Sequence, residues 1–164
     1  MIQLASPQDF ETVSWKAEER LSWDDFRGDV PQNARAAAIT ASGITYSFST
    51  SGTKDNIQVD FKIDTFFYPA KSWYQPALCD SVILSHEQLH FDISELFARK
   101  FKKRLENEKF TYGTVKARVK LIYREINEEL ANFQQLYDKE TNFSRDGAKQ
   151  EEWIVKIANA LQEE

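Results

Sequence analysis

Apolar and polar positions alternate most clearly over residues 57–68. Positions 57, 59, 61 and 63 carry Ile, Val, Phe and Ile, while positions 58, 60, 62 and 64 carry Gln, Asp, Lys and Asp. A period of two predicts a β-strand with one buried face and one solvated face. A second strand is predicted over 36–48, with Gly43 as a candidate bulge. The polar segment 49–56 is predicted to form the turn of an antiparallel hairpin, and a third strand is expected from the first thirty residues.

The period changes to that of a helix after Pro69. Apolar residues recur every three or four positions over 80–108, 115–140 and 148–161, which predicts three helices. Asp80 or Ser81 is expected to cap the first helix, and Thr114 the second. This order predicts an α+β fold with an N-terminal antiparallel sheet followed by long helices. A single domain is expected over 1–164, comprising a lead at 1–20, a mainly β part at 21–69 and a mainly α part at 78–164.

Composition narrows the classes of partner and compartment. The hydrophobic fraction of 41% is enough for a sizeable core, and the net charge of -5 argues against a nucleic-acid partner. No apolar run approaches the ~18 residues of a membrane span. A single cysteine, Cys79, excludes an intrachain disulfide and is expected to be a packing residue. The N-terminus lacks the pattern of a signal peptide, so the sequence predicts either a cytoplasmic protein or one whose leader has been removed.

The predicted first helix carries the run His86-Glu87-Gln88-Leu89-His90. Residues four apart lie one turn apart on the same helix face, so both imidazoles can reach one Zn²⁺. The carboxylate of Glu87 is expected to act as a general base on a zinc-activated water, which is the chemistry of a peptidase. Both histidines of the chain belong to this motif. The strand at 57–68 is expected to lie as an edge beside the motif helix, where its main chain could hold an extended peptide.

The surrounding sequence resembles a known bacterial family in several places. The matching segments are 85–99 around the motif, 21–28, 36–44, Ser72-Trp73, and 137–141 followed by Gln150 and Trp153. In these segments the chain is similar to the family catalogued as domain of unknown function nine-two-two, described as candidate secreted zinc-dependent proteases. The resemblance implies a zincin-like metallopeptidase fold, bound zinc, a peptide or protein substrate, and a periplasmic or secreted location.

One position departs from the pattern of that family. Members often carry a histidine two residues after the threonine of the 137–141 signature, and this chain has Phe143 there. If that histidine contributes to catalysis in the family, this chain has lost it. The alternative function is therefore a catalytically degenerate member that binds a peptide or protein without cutting it.

The third zinc ligand has to be a carboxylate or, less favourably, the cysteine, because the chain has no third histidine. A second helix that returns antiparallel regains the height of the motif near positions 133–138. This geometry leaves Asp138, Glu140 and Glu129 open as ligands. Asp138 ranks first because it also lies in the family signature, Glu140 second and Glu129 third.

Two further residues are candidates for supporting roles. Tyr137 could donate its hydroxyl to a developing oxyanion, or it could be a core aromatic with a solvated tip. Asp92 could orient a ligating histidine, or it could be a surface charge.

Overall fold

A computed structural model describes residues 11–163, and its strands lie in the N-terminal half. Strands β1 (Val13–Ser14), β3 (Ser42–Thr53) and β4 (Asn56–Phe67) form an antiparallel sheet in the order β1-β4-β3. Strands β2 (Ala38–Ile39) and β5 (Trp73–Tyr74) form a second antiparallel pair. The predicted hairpin and the third strand from the first thirty residues are both confirmed.

The hairpin is longer than its sequence predicts. The strand predicted over 36–48 is interrupted at Thr40 and Ala41, so that it forms β2 and the start of β3. The turn predicted over 49–56 is wrong, because pairing continues to Thr53↔Asn56 and only two residues turn the chain. Near this end Gly52 has φ +91°, and a Cβ there would lie 2.2 Å from the carbonyl oxygen of Asn56. Only glycine fits that conformation.

Two details of the predicted sheet are corrected. Gly43 pairs regularly with Phe66 between neighbouring regular pairs, so it does not form a bulge. Strand β4 lies between β1 and β3 in the described sheet, and is not the edge beside the motif helix. The segment after β2 contacts the motif, where the Thr40 hydroxyl donates a hydrogen bond to Glu87.

Three helices follow, as predicted: α1 (Ser81–Asn107), α2 (Val115–Glu140) and α3 (Gly147–Glu163). Asp80 caps α1 by accepting hydrogen bonds from the backbone N–H groups of Val82 and Ile83, both at 3.0 Å. The cap predicted at Thr114 is not made by its side chain, which donates instead to the carbonyl oxygen of Thr111. No helix within residues 11–163 is long and apolar enough to cross a membrane.

The core lies where α1 packs against β3, β4, α2 and α3. Residues of α1 fill it at helical spacing, and each is at most 4% exposed: Leu89, Ile93, Leu96, Phe97, Phe101 and Leu105. A smaller apolar cluster joins Phe91 of α1 to Leu21, Phe26 and Phe67. The fold is therefore α+β, with α1 buried on several sides, and this burial fixes the orientation of the motif that α1 carries.

Candidate metal centre

The helix α1 presents both motif histidines to the neighbouring helix α2. His86 and His90 lie one turn apart, and their side chains are 5% and 14% exposed. Their rings meet edge to face, with centroids 4.8 Å apart. Because the apolar residues of α1 are fixed in the core, the two rings have little freedom to turn away from this arrangement.

A carboxylate from the last turn of α2 completes a triangle with the two imidazoles. Asp138 Oδ1 lies 3.0 Å from His86 Nε2 and 2.9 Å from His90 Nε2. The two Nε2 atoms are 3.2 Å apart. Among the described residues, these three side chains form a group able to hold a metal ion. The geometry thus brings together the three residues that the sequence ranked first, and their role as ligands stays a prediction.

The dimensions of this triangle suit zinc. Zinc binds imidazole nitrogen at about 2.0–2.1 Å and carboxylate oxygen at about 2.0–2.2 Å, so neighbouring ligand atoms in a tetrahedral site are about 3.3–3.5 Å apart. The observed separations of 2.9–3.2 Å need to widen by only a few tenths of an ångström. Two nitrogen donors and one oxygen donor match the ligand set of a catalytic zinc site, which leaves a fourth position for water.

The Nδ1 atom of each motif histidine faces a glutamine side chain. His86 Nδ1 lies 3.0 Å from Gln150 Oε1 of α3, and His90 Nδ1 is hydrogen-bonded to Gln134 Oε1 of α2. An amide oxygen only accepts hydrogen bonds, so in these two contacts each imidazole is the donor and carries a proton on Nδ1. With Nδ1 protonated, a neutral ring keeps the lone pair of Nε2 for a metal ion, which is the protonation state that a metal requires. Without a metal, an Nε2 atom that hydrogen-bonds to Asp138 Oδ1 carries a proton.

The electrostatics of the cluster favour a positive charge at the triangle. Burial by itself lowers the pKa of His90, but the hydrogen bond that His90 donates to Asp138 and the charges of Glu87 and Asp138 together outweigh it and raise that pKa above its usual value. Burial by itself raises the pKa of the Asp138 carboxyl, yet its hydrogen bonds and charge interactions with the two histidines lower that pKa far below its usual range. Asp138 is therefore ionised, and a bound cation or a proton on His90 compensates its charge.

Glu87 lies on α1 between the two histidines and is 5% exposed. Its Oε2 atom accepts a hydrogen bond of 2.6 Å from the hydroxyl of Thr40, which also lies 3.1 Å from the backbone oxygen of Glu87. Thr40 follows β2 directly, so the second sheet holds this carboxylate in place. Glu87 is outside the set of converging metal-binding atoms, as the proposed role of a base that is not a ligand requires.

Tyr137 lies beneath the ring of His86 and is fully buried. The two rings are stacked, with centroids 4.5 Å apart and an interplanar angle of 19°. Its hydroxyl donates to Gln150 Oε1 at 2.8 Å and lies 3.3 Å from the backbone oxygen of His86. Burial raises the pKa of this hydroxyl well above its usual value. These contacts favour the core role of Tyr137 over the donor role at an oxyanion, and its hydroxyl is buried and not solvated as predicted.

The two other carboxylates considered as ligands lie away from the histidines. Glu140 Oε2 accepts a hydrogen bond of 2.8 Å from Trp153 Nε1. On an exposed part of α2, the two carboxylate oxygens of Glu129 accept hydrogen bonds of 2.7 and 2.8 Å from Arg104 Nη2. Phe143 stands where the resemblance implies a histidine. It is 60% exposed with φ 52°, and its backbone N–H donates to the carbonyl oxygen of Asp138. The three converging side chains are complete without a histidine at 143.

Asp92 neither orients a histidine nor forms a surface charge, the two roles predicted for it from the sequence. It is 5% exposed at the side chain, so it is not a surface charge, and its partners are not histidines. Asp92 Oδ1 accepts from Trp15 Nε1 at 2.8 Å and from Gln88 Nε2 at 2.9 Å, while Oδ2 accepts from Arg20 at 2.8 Å. Because positions 88 and 92 lie on the opposite face of α1 from the histidines, this cluster ties the N-terminal segment to the back of the motif helix.

Three residues of the site are missed by reasoning from the sequence. Thr40 carries no motif and lies 47 positions from Glu87, so no local pattern indicates their contact. Gln134 precedes Asp138 by one helical turn, and the height argument that indicated Asp138 could have found it. Gln150 was visible in the sequence only as part of a resemblance, without a role.

The comparison with known proteins identifies the family. Residues 22–146, which make up more than half of the chain, match the family model described as bacterial protein of unknown function (DUF922). No curated protein and no solved structure matches the chain. The matched region contains the motif of α1 and the carboxylate of α2 but ends before Gln150. The chain belongs to this bacterial family of unknown function, DUF922.

Proposed function

We propose that this protein is a zinc-dependent hydrolase that cleaves peptide bonds, with His86, His90 and Asp138 holding the metal and a zincin-like arrangement of site and base. The single observation that carries the proposal is the convergence of two Nε2 atoms and one carboxylate oxygen within 2.9–3.2 Å of one another. Three protein ligands with a fourth position for water are typical of catalytic zinc, whereas structural zinc usually has four protein ligands.

The roles of the other residues follow from their positions. Bound zinc would supply a Lewis acid that lowers the pKa of water and polarises a carbonyl group. Glu87 would accept a proton from the attacking water and return it to the leaving amine nitrogen, as the C–N bond breaks and a C–O bond forms. Thr40 would hold Oε2 of Glu87, so that the carboxylate keeps one orientation while the proton moves.

The first measurement is bound zinc by elemental analysis in the wild type, His86→Ala and Glu87→Gln. We expect about one zinc ion per chain in the wild type and in Glu87→Gln, because a single catalytic site holds one ion and the base is not a ligand. We expect little zinc in His86→Ala. A wild type that stays free of zinc after reconstitution contradicts the metal site.

The second measurement is cleavage of a peptide library, followed by mass spectrometry. Glu87→Gln should keep zinc but lose cleavage, because an amide cannot accept the proton from water. The matched control is Glu95→Gln on the same helix, since Glu95 accepts hydrogen bonds from Thr65 and Arg99 and not from a residue of the metal site. Cleavage that persists in Glu87→Gln contradicts the mechanism.

The second candidate function is a peptide- or protein-binding module that does not cleave. The exposed Phe143, one turn beyond Asp138, favours it, because an apolar side chain stands where the family often has a histidine that could take part in catalysis. In that case the wild type binds peptides, shows zinc occupancy well below one, and cleaves none of the library. Phe143→His would then be the variant that gains cleavage.

A further inference from the structure

The strongest unassigned feature is the pair of glutamines behind the histidines. Gln134 belongs to α2 and Gln150 to α3, so two different helices each supply one amide to a histidine of α1. We propose that Gln134 and Gln150 are positioning residues that hold both imidazoles in the metal-ready tautomer and thereby set the affinity for zinc. This inference rests on the zinc site proposed above, and it assigns control of the zinc affinity to these two glutamines.

Gln134 is held at both ends of its amide. Its Oε1 receives His90 Nδ1–H, and its Nε2 donates to the backbone oxygen of His90 at 2.9 Å. Rotating the amide by half a turn would place Gln134 Nε2–H against His90 Nδ1–H, and Gln134 Oε1 against the backbone oxygen of His90. Both hydrogen bonds would be lost. Gln134 therefore accepts only one orientation, and that orientation requires the proton of His90 on Nδ1.

Gln150 also accepts a hydrogen bond from a histidine, but one half of its amide is left without a partner. It is 3% exposed, and its Oε1 is shared by His86 Nδ1–H at 3.0 Å and the Tyr137 hydroxyl at 2.8 Å. In the described part of the chain its Nε2 is buried without a hydrogen-bond partner. An unpaired buried amide N–H is destabilising, so the two hydrogen bonds that Oε1 accepts have to maintain this orientation.

The opposite orientation of Gln150 shows why the oxygen has to face the ring. With Nε2 turned inward, the amide would donate to His86 Nδ1 and to the Tyr137 oxygen. The neutral ring of His86 would then carry its proton on Nε2, the atom that faces Asp138 Oδ1. A protonated Nε2 cannot bind a metal. The orientation with Oε1 facing His86 is therefore the one that leaves His86 Nε2 available to zinc.

The neutral charge of both amides adds a second consequence. Ligating histidines commonly donate to a carboxylate or a backbone carbonyl, and a carboxylate makes the ring a stronger base. A glutamine oxygen fixes the tautomer without adding negative charge. With Asp138 as the single anionic ligand, zinc and its three protein ligands would keep a net positive charge, which favours polarisation of a bound water or carbonyl.

The test measures the zinc dissociation constant by competition with a chromophoric chelator, on the full chain. Gln150→Met and Gln134→Met remove the acceptor at nearly constant volume, and we expect each to weaken zinc binding about 10- to 100-fold. The matched control is Gln88→Met, since Gln88 is also buried and accepts from the Leu21 N–H but lies on the opposite face of α1. We expect its dissociation constant to stay within about 2-fold of the wild type while its thermal stability falls.

The conservative variant Gln150→Glu separates positioning from packing. It restores an acceptor to His86 Nδ1–H, so we expect zinc to bind at least as tightly as in the wild type, whereas a purely structural role predicts no rescue relative to Gln150→Met. Wild-type affinity in both methionine variants overturns the inference and leaves the zinc site standing. A wild type that binds no zinc overturns both. Circular dichroism melts establish that each variant compared is folded.

Discussion

Replacing Tyr137 by phenylalanine removes one buried hydroxyl beside the candidate metal centre and leaves the ring stacked on His86. The structure assigns that hydroxyl to a 2.8 Å hydrogen bond with Gln150 Oε1. The oxygen of Gln150 keeps its second donor, His86 Nδ1–H, so the substitution leaves no buried acceptor unpaired. His86 should therefore retain its tautomer, and zinc affinity should stay within about 3-fold of the wild type.

The expected loss is one of stability. A buried neutral hydrogen bond contributes about 0.5–1.5 kcal/mol, and a chain of this length loses about 2–4 °C of Tm per kcal/mol, which gives a fall of about 1–6 °C. The matched control is Tyr123→Phe. Its hydroxyl donates to the backbone oxygen of Ile44 at 2.7 Å, and neither residue belongs to the candidate metal centre. The Tm of this variant should fall by a comparable amount.

The assay combines calorimetry, chelator competition and cleavage of a peptide identified with the wild type. An oxyanion donor at position 137 would make the loss of its hydroxyl cost about 100- to 1000-fold in kcat. The buried position of the hydroxyl predicts a change below about 10-fold. A zinc-loaded Tyr137→Phe protein that keeps the wild-type Tm but loses more than 100-fold in kcat would refute this reasoning and restore the donor role.

Three more predictions follow from other contacts. Thr40→Val should keep zinc but lower kcat/KM by about 10- to 100-fold, because the hydrogen bond to the Glu87 carboxylate is lost. Thr40→Ser should recover most of the lost kcat/KM in the same assay. Equal losses in the two variants would count against orientation of Glu87 by the hydroxyl. Gly28→Ala should destabilise by about 1–3 kcal/mol in urea unfolding, because its Cβ would lie 2.9 Å from two backbone oxygens, whereas Gly43→Ala meets an aromatic ring at 3.6 Å and should be neutral or stabilising. Without metal, the raised pKa of His90 gives stability below the unfolded pKa of about 6.5 that is lost as pH rises through the folded value. The Tm difference between zinc-loaded and chelator-treated protein should therefore widen from pH 6 to pH 8, and an equal difference at both would be evidence against the shift.

The helices were predictable because burial on one side leaves a helical period in the sequence. The Asp80 cap and the apolar stripe placed α1 within a residue of its observed ends. The hairpin turn was not predictable from composition. Small polar residues at 49–53 resemble a turn, but they are exposed and need only backbone pairing to extend β3. Cross-strand hydrogen bonds do not depend on side-chain polarity, so the ladder continues where the apolar pattern stops.

The candidate metal centre was predictable where helix geometry alone decides positions. The rise of two antiparallel helices brought Asp138 to the level of the histidines, and the same rise applies to Glu140. What excluded Glu140 was its hydrogen bond to Trp153 of α3, a helix whose packing the sequence pattern does not give. Thr40 and Gln150 were missed for the same reason, since each reaches the motif from an element distant in sequence.

The clamp on Asp92 has a consequence for where this fold can be trimmed. The family match begins at residue 22, after Trp15 and Arg20, which supply two of the three side chains that hydrogen-bond Asp92. A chain cut to 22–146 would keep His86, His90 and Asp138 but leave Asp92 with an uncompensated buried charge in the centre of α1, which is strongly destabilising. Residues 22–146 therefore contain the three candidate metal ligands and Glu87, while the segment before residue 22 supplies hydrogen bonds that stabilise the helix carrying His86, Glu87 and His90.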